Sequence, residues 1–524
     1  MTKAIIHITA ILVASFMSLA TVAQPAKSPA MTTYANAVIP GDFADPSVIK
    51  VGDTYYATGT SSEWAPHFPL FTSKDLVNWK QVGYVFNKTP EWASASFWAP
   101  ELYYHNNTFY VYYVARRKSD NQSFIAVATT KDPLKGFTDH GIIIEHGKEA
   151  IDAYILNDKG TLYMTFKAYG LDKRPIEILG CKLTPDGLKR DGDYFTLLRD
   201  DDRKGMEGQV HLKWNNHYYL FYSAGGCCGV GCSYNVRVAR AEKIEGPYTN
   251  FEGNPILTQN DTWKCPGHGT FVQTAPDTWY YLYHAFSQKD NVFTGRQGML
   301  DVLKWKEYTG WPFFNQGNSP SVTNALPAAA KAQTIGRDVR DEFKGSKLPL
   351  YWQWDFRHTV PATTIKKGSL YLSGKPTADN VTGTALTVRP VSGNYEMTTQ
   401  VINKNAALKG LTLYGDANQA VGIGIAGDTV QVWETKDNKR TILAQANVLQ
   451  ATIQLRMKVE NGYQVRFYYS LKPGDWQELS ASNQSYYDGR HLPPWDRSPR
   501  PGLLQRGNAT EPAVFADFSL VYQD

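Results

Sequence analysis

Five segments of the 524-residue chain repeat one local pattern, and that repeat limits the fold more than any other feature. In each, a turn pair precedes a β-prone aromatic or apolar pair. Gly52-Asp53 stands before Tyr55-Tyr56, Asn106-Asn107 before Phe109-Tyr110, and Lys159-Gly160 before Leu162-Tyr163. Asn215-Asn216 stands before Tyr218-Tyr219, and Pro276-Asp277 before Tyr280-Tyr281. Counted from Tyr55, Phe109, Leu162, Tyr218 and Tyr280, the steps are 54, 53, 56 and 62 residues. A single unit of short strands cannot bury both faces of its sheet, whereas units packed around an axis can. The repeat therefore predicts an all-β protein with a five-bladed β-propeller over residues 38–314.

The register of the repeat predicts where chemistry gathers. Asp45, Trp98, Asp152, Glu207 and His268 lie 10, 11, 10, 11 and 12 residues ahead of the five markers. They fall on or near the first strand of each unit, the strand that lines the axis of a propeller. Residues far apart in sequence would then meet in one funnel, and three of them are carboxylic acids. Each acid also has a plainer reading: Asp45 as a turn acid before Pro46, Asp152 as a cap on a blade turn, Glu207 as a solvated loop acid. Their shared register favours convergence. Asp42 lies too early for that register, and Glu101, three residues past Trp98, reads as the acid that secures a turn.

Acids in one funnel suit hydrolysis of a glycosidic bond. One carboxylic acid donates a proton to the leaving oxygen while a second, ionised, takes one from water; in inverting enzymes the two stand about 6.5–9.5 Å apart. A third carboxylate nearby disfavours ionisation of the acid and keeps its proton in place. The 32 Tyr and 14 Trp are compatible with flat faces for sugar rings, and equally with ordinary β-core packing. Net charge is +5 and spread along the chain with no dense Lys/Arg run, which excludes a nucleic-acid partner.

Met1 to Ala23 reads as a signal peptide, with Lys3 ahead of the apolar Ala10–Ala20 and small residues at Thr21-Val22-Ala23. No later stretch approaches the roughly 18 apolar residues of a membrane span. The expectation is a periplasmic or secreted protein with no membrane anchor. Five cysteines remain, Cys181, Cys227, Cys228, Cys232 and Cys265. An odd number leaves one unpaired unless a partner chain is involved. Cys227-Cys228 and Cys232 form a poor metal motif, since adjacent cysteines rarely share an ion. A local disulfide that stiffens the loop is the better reading.

Pro, Ala, Ser and Asn dominate from Asn315, and residues 315–338 read as a linker. Over 339–524 the five-fold pattern stops. Alternating runs such as Tyr395–Val401, Ile453–Val459 and Gln464–Tyr469, the last after the turn Asn461-Gly462, predict a β-sandwich.

Ala44-Asp45-Pro46-Ser47-Val48, Trp98-Ala99-Pro100-Glu101, Ile151-Asp152, Glu207-Gly208, Pro266-Gly267-His268-Gly269 and Gly295-Arg296-Gln297 together resemble the signature positions of glycoside hydrolase family 43. The resemblance implies a five-bladed propeller that cleaves with inversion. It implies Asp45 as general base, Asp152 as the residue that tunes and orients the acid, and Glu207 as general acid. It also implies that Arg296 contacts the sugar in the deepest subsite, and that Trp98 and Phe43 wall the pocket. His268 would sit on the axis, beside a calcium ion or a water cluster; the chemistry itself requires no cofactor. Asp341-Glu342-Phe343 and Trp352-Gln353-Trp354 resemble the concanavalin-like sandwich that follows the propeller in β-xylosidases of that family. The expected function is exo-hydrolysis of terminal β-D-xylose from pentose-containing oligosaccharides. Alternatives are an α-L-arabinofuranosidase, an endo-acting arabinanase and a non-catalytic glycan-binding propeller.

Overall fold

The computed structural model describes residues 1, 32–314, 317–328, 330–481 and 485–523. Apart from Met1, the predicted signal peptide lies outside the described residues. Five four-stranded antiparallel sheets follow one another in sequence. Their innermost strands are Ser47–Val51, Ala93–His105, Ala150–Asp158, Met206–Trp214 and Trp263–Ala275. Each of these touches the next and the last touches the first, which closes the ring. The second strand of every blade begins one or two residues ahead of the repeat marker, and the turn pair is the hairpin that precedes it. Asn106, Asn107, Asn215 and Asn216 all have positive φ. Two-residue hairpins need that conformation, and Asn tolerates it better than most residues.

The lead into blade one helps close the ring. Thr33–Ala35 pairs with Thr323–Ala325, so part of the 315–338 stretch is a strand against the propeller. Further on, Ile39 bonds to Gly298 and Phe43 to Arg296, along the third strand of blade five, Asn291–Trp305. Between neighbouring blades apolar side chains are buried, as with Val111, Tyr113 and Ala126 of blade two in one cluster with Phe68 of blade one. A short 3₁₀ turn, Pro133–Lys135, is capped by the Asp132 carboxylate on the Leu134 N–H.

Residues 339–523 form two facing sheets around an apolar core that includes Leu370, Leu411, Leu455 and Phe515. Asn461 and Gly462, both at positive φ, make the hairpin between Ile453–Glu460 and Gln464–Ser470. The sandwich is joined to the propeller through a shared sheet edge. Trp64–Ala65 of blade one pairs with Trp352–Asp355 of the sandwich. There Trp64 is buried against Tyr414, with the Arg500 guanidinium 4.2 Å from its ring centre.

Candidate active site

Four of the five innermost strands kink where they meet the axis, and in blade one the kink lies just ahead of the strand. Asp45, Ala99, Asp152, Gly208 and His268 have φ of 51°, 40°, 61°, 58° and 36°. Beside the last four of these the pairing of first and second strands shifts register. Positive φ is uncommon for a residue with a side chain, and bulges of this kind re-aim side chains. In blades one to four the kink lies ten residues ahead of the marker. In blades one and three the functional residue is the kink itself; Trp98 and Glu207 stand one residue before it. That is the physical origin of the 10 and 11 spacings. Gly208 is needed at its kink: a Cβ there would come within 2.7 Å of the His268 ring. Its N–H donates to Asp152 Oδ2 at 2.9 Å.

The five kinks bring Asp45, Trp98, Asp152, Glu207 and His268 to one cavity of about 280 Å³, which Arg296 enters from the third strand of blade five. Asp45 Oδ2 accepts from Thr60 Oγ1 at 2.6 Å, and Oδ1 from Arg296 Nη1 at 3.0 Å. Burial pushes the Asp45 carboxyl up, but the Arg296 guanidinium and then His268, whose Nδ1 is 3.4 Å away, outweigh it. Asp45 is held well below the usual carboxylate range and stays ionised. The buried His284 accepts the Asp45 N–H on Nδ1 at 3.1 Å, and burial lowers its pKa to about 4, so it stands neutral.

Asp152 and Glu207 face each other as a coupled pair. Burial raises Asp152; His268 opposes this, and the negative charge of Glu207 adds to the rise. Burial also raises Glu207, but Lys167 Nζ at 2.7 Å from Oε2 outweighs it, helped by the Tyr234 hydroxyl donating to Oε1 at 3.0 Å. Two carboxyls in one dry pocket titrate as a unit, within which burial holds the Asp152 carboxyl up while Lys167 holds that of Glu207 down.

One assignment from the sequence is corrected. Phe43 is fully buried, edge-on to Phe71 at 5.2 Å, and does not line the cavity. Its place next to Ala44 and Asp45 puts it on the core side of the kink. Glu101 joins two blades rather than securing a turn: Oε2 accepts from Ser47 Oγ at 2.7 Å, and that oxygen in turn accepts the Leu102 N–H. Asp42, outside the register, ties the propeller to the sandwich by accepting N–H bonds from Arg296 and Ser498. The cysteines form two disulfides, Cys227–Cys228 and Cys232–Cys265, with Cys181 buried and free. The adjacent pair lines the cavity. His268 Nδ1 is shared between Asp45 and Asp152, and among the described residues no three His, Cys, Asp or Glu side chains gather as a metal cage. Calcium takes six to eight oxygen ligands. This donor set does not fit it, and no step below uses a metal.

Several lining residues escape the sequence reading. Trp495 and Asp496 enter from the sandwich: Asp496 Oδ2 accepts from Trp98 Nε1 at 3.0 Å, and its carbonyl accepts from Arg296 Nη2 at 3.1 Å. Lys167, Glu149 and Tyr234 surround Glu207. Lys167 alone leaves a local trace, a single charge in the otherwise uncharged strand Thr161–Ala168.

An ionised carboxylate on one side and a carboxyl pair on the other, one member of it raised by burial, are the groups that cleavage of an acetal between sugars calls for. Fold and site together define a glycoside hydrolase. The chain belongs to family 43: the model described as glycosyl hydrolases family 43 matches residues 34–312. A second, described as the β-xylosidase C-terminal concanavalin A-like domain, matches 340–491. A β-xylosidase of Formosa agariphila is 28% identical over 390 residues, covering 67% of this chain and 63% of that one. A xylan 1,3-β-xylosidase of a Vibrio species is 27% identical over 61% of this chain and 64% of its own length. The match thus spans under two thirds of both relatives. The extracellular exo-α-(1→5)-L-arabinofuranosidase of Cellvibrio japonicus is 30% identical over 52% of this chain and 86% of its own. The crystal structure of a family 43 protein of Bacillus licheniformis superposes with a TM-score of 0.82 at 22% identity, over 94% of this chain and all of that one.

Proposed function

We propose that the protein is an inverting exo-glycosidase that releases terminal β-D-xylose from pentose-containing oligosaccharides. Asp45 takes a proton from water as the water oxygen bonds the anomeric carbon. Glu207 gives its proton to the glycosidic oxygen as the carbon–oxygen bond breaks. Asp152 keeps that proton within the pair, and Arg296 holds the sugar while fixing the Asp45 carboxylate. The observation that carries this reading is the split between Asp45, held ionised, and the coupled Asp152–Glu207 pair in one cavity. A pure binding propeller has no need of such a split.

Exo attack is supported by size and closure. The cavity of about 280 Å³ lies at the lower edge of the ~300–1,000 Å³ usual for ligand sites. Trp495 and Asp496 wall one side. Xylose is favoured by the match of the C-terminal domain to a β-xylosidase model. Arabinofuranose is the second reading, favoured by the Cellvibrio relative. Export to the periplasm or medium is supported by two disulfides, which persist in oxidising compartments. Among the described residues, no helix is long and apolar enough to cross a membrane.

The test is release of p-nitrophenol from the β-D-xylopyranoside and the α-L-arabinofuranoside, with Asp45→Asn and Glu207→Gln alongside. The xyloside should be preferred, each variant should lower kcat/KM by about 10²–10⁴, and NMR of the first-formed sugar should show the inverted anomer. Preference for the arabinofuranoside changes the sugar and keeps the mechanism. Wild-type rates in either variant overturn the roles.

A further inference from the structure

Lys167 is a buried cation to which the hydrolytic scheme assigns no task. Its Nζ lies 2.7 Å from Glu207 Oε2 and 3.3 Å from Glu149 Oε2. The three side chains are 11%, 18% and 8% exposed, so none of them can turn to bulk water without leaving the pocket. Glu149 immediately precedes the innermost strand of blade three, and Lys167 is on the second strand of that blade. Gly170 leaves the space that the pair occupies: a Cβ there would come within 1.7 Å of Glu149 Oε2 and 3.0 Å of Lys167 Cε. The arrangement is therefore built into the backbone as well as the side chains.

Glu207 also faces the Tyr234 hydroxyl from blade four, Asp152 from blade three and His268 from blade five. Across the cavity stand Asp45 with Arg296, then Arg116 and the sandwich's Asp496. Of these charged groups, Lys167 is the cation in direct contact with Glu207.

We propose that Lys167, braced by Glu149, is a positioning residue that sets both the orientation and the proton occupancy of Glu207. An ammonium against the carboxylate favours its ionised form. Glu149 divides that attraction, because the same Nζ serves both carboxylates. The two residues therefore push Glu207 in opposite directions, which a merely structural pair would not do. The proposal rests on Glu207 being the general acid.

The experiment is the pH profile of kcat/KM, which reports the free enzyme, for full-length Lys167→Met, Glu149→Gln and Lys167→Arg, with melting temperatures recorded in parallel. The alkaline limb marks loss of the acid's proton. Without Lys167 the proton is kept to higher pH, so in Lys167→Met the limb should move up by about 1 pH unit. In Glu149→Gln the undivided attraction of Lys167 should move it down, and Lys167→Arg should stay near wild type. Limbs that stay fixed while activity falls evenly at every pH, or that move in the same direction, overturn the proposal. If Lys167→Met melts below the assay temperature, Glu149→Gln decides alone: an unmoved limb sinks the idea. Glu207→Gln separates the two levels of the argument. An alkaline limb that persists unchanged in it is not that of Glu207, and this overturns the functional assignment on which the proposal stands.

Discussion

At the scale of single residues, burial and neighbouring charge set what each acid does. Asp45 and Glu101 are both buried, yet they behave oppositely, because Asp45 has Arg296 beside it whereas Glu101 has only a serine hydroxyl. Burial pushes the Glu101 carboxyl up to about 8, with the Ser47 bond opposing. In the unfolded chain the same group ionises near the ordinary value, so between that pH and about 8 the unfolded state binds fewer protons than the folded state. Stability contributed by neutral Glu101 is therefore fully present in acid and lost as pH rises toward 8. Glu101→Gln should match wild type near pH 4 and melt higher near pH 7.5, by about 1–2 °C for each kcal/mol recovered. Scanning calorimetry at both pH values checks this; equal gains at both would show that ionisation is not the cause.

At the scale of elements, the kinked first strand is the device that converts a repeating fold into a site. Each blade supplies one kink with positive φ, bulged in blades two to five and just ahead of the strand in blade one, and the side chain at or beside it is turned to the axis. The loop from Gly225 to Ser233, between the second and third strands of blade four, adds the Cys227–Cys228 wall and is pinned to the innermost strand of blade five by Cys232–Cys265. That cross-link spans 33 residues. Replacing Cys232 and Cys265 by Ser should lower stability by about 2–4 kcal/mol, read from denaturant unfolding. A change well under 1 kcal/mol would mean that the loop is held by its other contacts.

At the scale of the whole molecule, the candidate active-site cavity belongs to both domains. The shared sheet edge at Trp64–Ala65 and the Asp42 bonds to Arg296 and Ser498 fix the sandwich against the propeller. This places the exposed Trp495 on the lining of the cavity, together with Leu171. Trp495→Ala should weaken binding of oligosaccharides by roughly twofold to tenfold, the ~0.5–1.5 kcal/mol of an aromatic contact. The loss should appear in KM, with kcat nearly kept. Asp496→Ala releases the Trp98 indole N–H and removes a negative charge from beside Arg296, whose bond to the residue 496 carbonyl remains, and should lower kcat as well. Steady-state kinetics on an oligosaccharide separates the two patterns.

The sequence by itself determined the five-fold repeat, the hairpins at its Asn and Gly pairs, the sandwich strands and the convergence of Asp45, Asp152 and Glu207, because each of these is written in local spacing with a fixed period. Only the tertiary structure decided that Phe43 turns into the core, that Glu101 bridges two blades, and that Lys167, Glu149 and Tyr234 close around Glu207. Burial depends on which side of a kink a residue occupies, and no local pattern records that. The entry of Trp495 and Asp496 lay furthest from view. Trp98 and Asp496 are 398 residues apart, and their contact follows from how two domains dock, which depends on shape and charge across a surface and leaves no period in the chain.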